Sequence, residues 1–224
     1  MHSLFLDTAS HRHVLALASE SQTHVIKDLP AFGDTGMIPA LEEALKEVKW
    51  KYADLTHIAC VTGPGGFASI RTGITAANTL AYALKIPLAG VHVSDLWAAR
   101  VSGCHAEHGR SMTWANVPPF DRAQGDTTPS FLWLHSTKKN LLFVRGFGTF
   151  KKQFPEPMLI ALEDATNLQG KYVGELLEEH QKTLTGCTVV AKENIAPLGE
   201  ALPALLKNFS YTQKSIAPWY GREP

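Results

Sequence analysis

Gly63-Pro64-Gly65-Gly66-Phe67-Ala68-Ser69-Ile70-Arg71-Thr72-Gly73 is the stretch on which the reading of this chain turns. An apolar run, His57-Ile58-Ala59-Cys60-Val61, precedes it, and a helical pattern reaching about Leu84 follows. The local order is strand, glycine turn, helix. Glycines let a backbone turn sharply and approach other groups closely. The helix behind the turn directs unpaired amides back toward it, so such a turn can hold an anion. The residues do not match a P-loop, since no Lys followed by Ser or Thr closes the turn. Nor do they match a dinucleotide fingerprint, since no acidic residue ends a following strand at the expected distance. A generic nucleotide loop is a weak reading of them.

Upstream, residues 3–8, 13–19 and 22–27 are short apolar or β-branched runs, the first two joined by Ser10-His11-Arg12, and they read as a three-stranded meander. Within residues 36–50, Ile38, Leu41, Leu45 and Val48 fall at helical spacing while Glu42, Glu43, Lys46 and Glu47 face elsewhere. Asp34 or Thr35 is placed to cap this helix, and Pro39 fits only in its first turn. The order repeats as strand 57–62, helix 67–84, strand 88–93 and a short helix near 94–101. Periodicity alone makes this an α/β region. Residues 102–130 are rich in Gly, Pro and polar side chains, a loop or linker longer than ordinary connections. A hairpin of 131–135 and 141–144, turning at Lys138-Lys139-Asn140, opens a second lobe. Helices are expected near 158–166 and 174–181, a strand at 188–191 and a last helix near 197–208. The expected division is 1–101, 102–130 and 131–224, with the second lobe thinner than the first.

At 224 residues the chain has room for one large domain or two lobes. Hydrophobic residues make up 45%, which supports a sizeable core. The 21 basic residues are matched by 21 acidic ones, so no global field holds a polyanion and direct, tight nucleic-acid binding is not suggested. Cys60, Cys104 and Cys187 are an odd, widely spaced set, and no secretory leader is visible. No apolar stretch reaches the roughly 18 to 20 residues that span a bilayer. These features predict a cytoplasmic chain with reduced thiols and no membrane contact.

Residue by residue, the opening stretch resembles the signature of the TsaB (YeaZ) family, approximately Gly-Pro-Gly-Ser-Phe-Thr-Gly-Leu/Val-Arg-Ile-Gly ahead of a small-residue helix. Gly63, Pro64, Gly65, Phe67, Ile70, Arg71 and Gly73 match it, with Ile70 counted as an aliphatic match. Gly66, Ala68, Ser69 and Thr72 depart from it, and the changes at Gly66 and Ala68 remove two hydroxyls. Leu4-Phe5-Leu6-Asp7-Thr8-Ala9 with Val14-Leu15-Ala16-Leu17 looks like the family's opening strand, Asp-Thr turn and second strand. Ile86-Pro87-Leu88-Ala89-Gly90-Val91 resembles its strand after the signature helix. Ala217-Pro218-Trp219-Tyr220-Gly221-Arg222-Glu223-Pro224 is similar to its Pro-x-Tyr-Leu-Arg-x-Pro ending. The likeness covers the first hundred residues well and the middle poorly.

This resemblance implies the two-lobed α/β fold shared by actin, sugar kinases and heat-shock ATPases, with the second lobe reduced. It implies a non-catalytic subunit that pairs with a catalytic TsaD-type subunit and, with a TsaE-type ATPase, supports threonylcarbamoyl transfer to N6 of an adenosine in tRNA. ATP and a metal ion would then be used by the partner complex, with no cofactor held by this chain. Transfer RNA would be met through the complex, and pairing of two copies stays open as an alternative when the partner is absent. The rival readings are an ATP-dependent phosphotransferase of the same fold and a metallopeptidase-like enzyme.

Asp7 and Thr8 are the candidates for a vestigial nucleotide-binding site, since Asp7 stands where ATPases of this fold place an aspartate that works with metal and phosphate. The same pair suits a turn at a strand end. Leu134-His135-Ser136-Thr137 lacks the second acidic residue such ATPases carry, and Asp34-Thr35-Gly36-Met37-Ile38 lacks the histidines by which TsaD holds its metal. Cys104, His105 and His108 have metal-binding chemistry but no distant partner pair to complete a tetrahedral site. His11 and His13 read as turn residues, so no catalytic or metal residue is assigned. Arg71 lies in the first turn of its helix, where the dipole mildly opposes a cation, which points to a specific carboxylate or carbonyl partner. Phe67 is expected to be buried. Gly73, Ala77 and Ala81 form a small-residue stripe at intervals of four, which lets another element approach closely. Ile70, Ile74 and Leu84 suit the sheet, while Thr72, Ala76, Thr79 and Ala83 suit another chain. The expected partner surface is Ile38, Leu41, Leu45, Arg71, Thr72, Gly73, Ala76, Thr79, Leu80 and Ala83.

Overall fold

Alternating apolar runs open the chain as β1 (His2–Asp7), β2 (Val14–Ser19) and β3 (Thr23–Asp28), which pair antiparallel in sequence. The computed structural model describes residues 1–29, 36–103, 129–138, 140–212 and 214–221. After the meander come α1 (Met37–Glu47), β4 (His57–Gly63), α2 (Phe67–Leu84), β5 (Leu88–His92) and α3 (Val93–Gly103). β4 adds parallel to β1, and β5 parallel to β4, giving the order β3-β2-β1-β4-β5. The central strand β1 is apolar along Leu4, Phe5 and Leu6 because it is covered on both faces. The N-cap position of α1 is Gly36, which has no side chain to offer, and Pro39 falls in the first turn. The expected caps Asp34 and Thr35 lie outside the described residues.

The crossovers β3-α1-β4 and β4-α2-β5 both run toward the same edge of the sheet. With the right-handed sense that parallel crossovers adopt, they set α1 and α2 on the same face. Alternate residues of β3 show the two faces separately. Lys27 reaches Glu43 and Glu47 of α1, while Ile26 lies against Gly199, in the helix α6 described below.

The second sheet is built from β6 (Phe131–Lys138), β7 (Leu141–Phe147), β8 (Met158–Ala161), β9 (Gly170–Glu175) and β10 (Cys187–Val189). Read from β8, its order is β8-β7-β6-β9-β10, with the first three strands antiparallel and the last two joined in parallel. This repeats the order and sense of the first sheet, the duplicated arrangement of the actin-like fold. Leu132, Leu134, Leu142, Val144 and Tyr172 form its core with Leu168 and Leu184. All five strands are kept. The reduction lies in the helices, since α4 (Leu162–Ala165) and α5 (Glu178–Thr183) have four and six residues.

The expected helix at 158–166 is instead β8 followed by α4, because Leu142 pairs with Ile160 and Val144 with Met158. The expected helix at 174–181 starts later, as α5, and the residues before it are β9, held between β6 and β10. The last helix, α6 (Leu198–Lys207), packs on β3 and β2, where the Thr23 hydroxyl donates to the Gly199 carbonyl at 2.7 Å. By contacts the chain divides into Met1–Val93 with Leu198–Pro224, and Ser94–Pro197. The tail segment expected in the second lobe thus returns to the first unit. The 102–130 linker and its Cys104, His105 and His108 lie almost wholly outside the described residues.

Candidate partner interface

α2 is built to bury one side and present the other. It starts at an extended Gly66 and stops where Lys85 turns left-handed, with φ of 56°. Its inward side is Ser69, Ile70, Gly73, Ile74, Ala77 and Ala81, all buried against the first sheet. The stripe Gly73, Ala77 and Ala81 therefore serves the chain's own packing. A methyl group on Gly73 would sit 2.2 Å from the Thr8 hydroxyl oxygen, so that position has no room for a side chain. Leu41 and Leu45 of α1 are likewise in the core, and with Gly73 they are withdrawn from the surface on which they were expected.

The outward side carries most of the remaining expected residues. Ile38, Arg71, Thr72, Thr79 and Ala83 are exposed, and Ala76 and Leu80 are half-buried. The structure adds three aromatic residues to them. Phe67 is 58% exposed, Tyr82 86% and Tyr220 40%, beside Ile38 at 45%. The expectation that Phe67 is buried is corrected here: it occupies the first position of α2, where its ring stacks on Tyr220 and stays exposed. Tyr82 was legible as the residue one turn beyond Thr79 on the Thr72, Thr79 and Ala83 side. Tyr220, the tyrosine of the Pro-x-Tyr ending, carries no local sign that it reaches α2.

Residues 215–220 form a strap along α2. The Asn78 side chain donates to the Ile216 carbonyl at 3.0 Å and accepts from the Ile216 N–H at 2.9 Å. The Trp219 N–H donates to the Thr62 carbonyl at 2.8 Å, and its indole meets His92 edge-on at 4.5 Å. The Trp219 carbonyl then lies against Gly63, where a methyl group would approach it to 2.5 Å and where φ is +130°. Only glycine accepts both conditions. The start of the glycine turn is thus pressed by the chain's own backbone. Finally the Arg71 Nε donates to the Tyr220 hydroxyl at 3.1 Å, and the guanidinium lies 3.7 Å from the centroid of the Phe67 ring. The partner expected for Arg71 is a phenol and an aromatic face in place of a carboxylate or carbonyl.

Asp7 is buried, and its carboxylate accepts N–H bonds from Ala9 at 2.9 Å and Ser10 at 3.0 Å and the Ser10 hydroxyl at 2.7 Å. Both oxygens are committed to holding the turn after β1. Burial pushes its pKa up, and the bonds from Ser10 and Ala9 pull it back only in part. Thr8 is buried beneath Gly73, and its hydroxyl has no hydrogen-bond partner among the described residues. Among the described residues no group of three His, Cys, Asp or Glu side chains gathers in a way that holds a metal ion. No described helix is long and apolar enough to cross a membrane.

A family model described as TsaD, tRNA N6-adenosine threonylcarbamoyltransferase, matches residues 35–108, the stretch that carries α1, β4, α2, β5 and α3. The tRNA threonylcarbamoyladenosine biosynthesis protein TsaB of Bacillus subtilis is 28% identical over 141 residues, covering 62% of this chain and 57% of that protein. A tRNA N6-adenosine threonylcarbamoyltransferase of Shouchella clausii is 46% identical over 52 residues, covering 23% of this chain and 16% of that one. The matched regions thus span little more than half of the first relative and a small part of the second. Among solved structures, a protein of Pseudomonas aeruginosa described as similar to peptidase YeaZ superposes with a TM-score of 0.63 at 16% identity, covering 99% of both chains. YeaZ from Pseudomonas aeruginosa gives 0.50 at 15% identity, covering 83% of this chain and 90% of that one. In sequence this chain is similar to the TsaB protein of Bacillus subtilis, and in fold to the YeaZ proteins of Pseudomonas aeruginosa.

Proposed function

We propose that this chain is a non-catalytic subunit of the machinery that makes N6-threonylcarbamoyladenosine in tRNA, and that α1 and α2 are its contact with a TsaD-type transferase subunit. One observation carries the assignment of the surface. Among the described residues, Ile38, Phe67, Tyr82 and Tyr220 are the large apolar residues exposed in the first unit, and each belongs to α1, to α2 or to the strap on α2. Exposed apolar residues concentrated on one face mark contact surfaces. The TsaB likeness supports the choice of partner, and the commitment of both Asp7 oxygens to a turn supports the absence of a catalytic role.

In this reading the chain acts by holding the transferase in its competent arrangement, which requires tighter binding to one conformation than to another. ATP, metal and tRNA are handled by the complex, a TsaE-type ATPase joins it, and the chain works in the cytoplasm. Without its partner, the same exposed face pairs two copies.

Thr79→Arg tests the surface. Thr79 is exposed, so folding survives, while a long charged side chain is forced into a close helix contact. Overpacking costs about 1 to 3 kcal/mol, so calorimetric titration against the transferase subunit is expected to show binding weakened roughly tenfold or more. Unchanged affinity in the folded variant overturns the assignment of α2.

A further inference from the structure

Resting on the partner assignment above, we propose that Arg71 is the anchor of that contact and that it receives a carboxylate side chain, Asp or Glu, from the transferase-type subunit. α2 carries one charged residue, Arg71, in its 18. The rest of its exposed face is Ala, Thr and aromatic rings. By contrast, Lys27 beside α1 is already paired within the chain to Glu43 and Glu47.

Arg71 is held in place by protein groups. Its Nε is committed to the Tyr220 hydroxyl, its plane covers Phe67, and the Phe67 and Tyr220 rings stack at 5.3 Å. Among the described residues no carboxylate pairs with it, so its terminal amino groups remain available. Those groups form a planar fork that a carboxylate meets with two parallel hydrogen bonds. A partner lying over this neutral face takes water away from the guanidinium. An isolated buried charge is strongly unfavourable, so whatever covers Arg71 must bring the opposite charge. Arginine with tyrosine is also the side-chain chemistry that dominates the centres of protein contacts.

The test is calorimetric titration of the full chain with the transferase subunit of the same cell, at about 50 and about 300 mM salt. Removing one side of a buried, hydrogen-bonded charge pair is expected to weaken binding by at least about thirtyfold in Arg71→Leu. The salt dependence flattens in the same variant. Arg71→Lys recovers only part of the loss, since an ammonium cannot bind in the forked geometry. Tyr220 is a positioning residue, so Tyr220→Phe weakens binding in the parent chain and has no further effect in the Arg71→Leu background.

Full affinity in Arg71→Leu, with Thr79→Arg still weakened, overturns the anchor and leaves the interface standing. Full affinity in both variants overturns the interface as well. Self-association that Arg71→Leu abolishes, with no binding to the transferase, makes a second copy of the chain the occupant and overturns the proposal. Arg71 is exposed, so circular dichroism melting is expected to match the parent chain in each variant.

Discussion

Asn78 grips the strap by both the NH2 and the carbonyl oxygen of its side-chain amide, and replacing it with alanine isolates that grip. Two bonds are lost, at 3.0 and 2.9 Å, each between neutral groups. A neutral hydrogen bond contributes about 0.5 to 1.5 kcal/mol net, and a buried group left without its partner costs about 1 to 3 kcal/mol. Ile216 is only 8% exposed, so its orphaned N–H and carbonyl regain little water unless the strap lifts. The expected cost is about 2 to 3 kcal/mol. For a chain of this size that lowers the melting temperature by about 4 to 12 °C. Lys214 lies just before the strap, so trypsin cleavage there reports its release directly. Asn78→Ala is expected to melt earlier and to be cut faster at Lys214, and Asn78→Asp to fall between, since a carboxylate accepts the Ile216 N–H but cannot donate to its carbonyl. A melting temperature within about 1 °C of the parent, with unchanged cleavage, refutes the view that Asn78 secures the strap.

Gly73→Ala is expected to destabilise by about 1 to 3 kcal/mol through collision with Thr8. Thr8→Ala in the same chain removes the offending oxygen, so a double-mutant cycle by urea denaturation should show partial rescue, and strict additivity counts against the contact. Asp7 supplies a pH test. Its folded-state pKa is raised, so the folded chain holds that proton more firmly than the unfolded one, and stability falls as pH climbs from the ordinary carboxylate value through the raised one. Asp7→Asn keeps an acceptor for the Ala9 and Ser10 amides and removes this slope. Its stability relative to the parent is expected to improve between about pH 3.5 and pH 7, and a gap independent of pH contradicts the assignment.

The first hundred residues were legible because local signals agree there. The apolar period of α2 is bracketed by Gly66 and by the left-handed Lys85, and its drawn limits, 67–84, coincide with the helix. In the second unit the helix near 94–101, the β6–β7 hairpin and the strand at 188–191, found as β10 (Cys187–Val189), were legible, and β8 and β9 were not. Met158-Leu159-Ile160-Ala161 runs straight into Leu162-Glu163-Asp164-Ala165, so a strand and a helix share one apolar stretch, and only pairing with β7 separates them. β9 offers Tyr172 and Val173 as its buried pair, too few for a period, and owes its form to neighbours on both sides. At the candidate interface the sequence distinguished an inward from an outward face of α2. It did not place Tyr220 beside Arg71, because the two are 149 residues apart. The expectation that Arg71 lies in the first turn is corrected by the structure, where it is the fifth residue of α2, past the reach of the helix dipole, and side-chain chemistry alone does not say which partner it takes.

The first unit is made of two stretches, Met1–Val93 and Leu198–Pro224, with the whole second unit between them. During synthesis α2 leaves the ribosome long before the residues that fix Asn78, Arg71 and Gly63. At about 5 to 20 residues per second, the roughly 130 residues between α2 and the strap impose a delay of roughly 7 to 25 seconds. Through that interval β3 and β2 lack α6, and Phe67 and Arg71 stand without Tyr220. The proposed contact surface is therefore finished only after its distant segment arrives, and the order of synthesis acts as a timer on it.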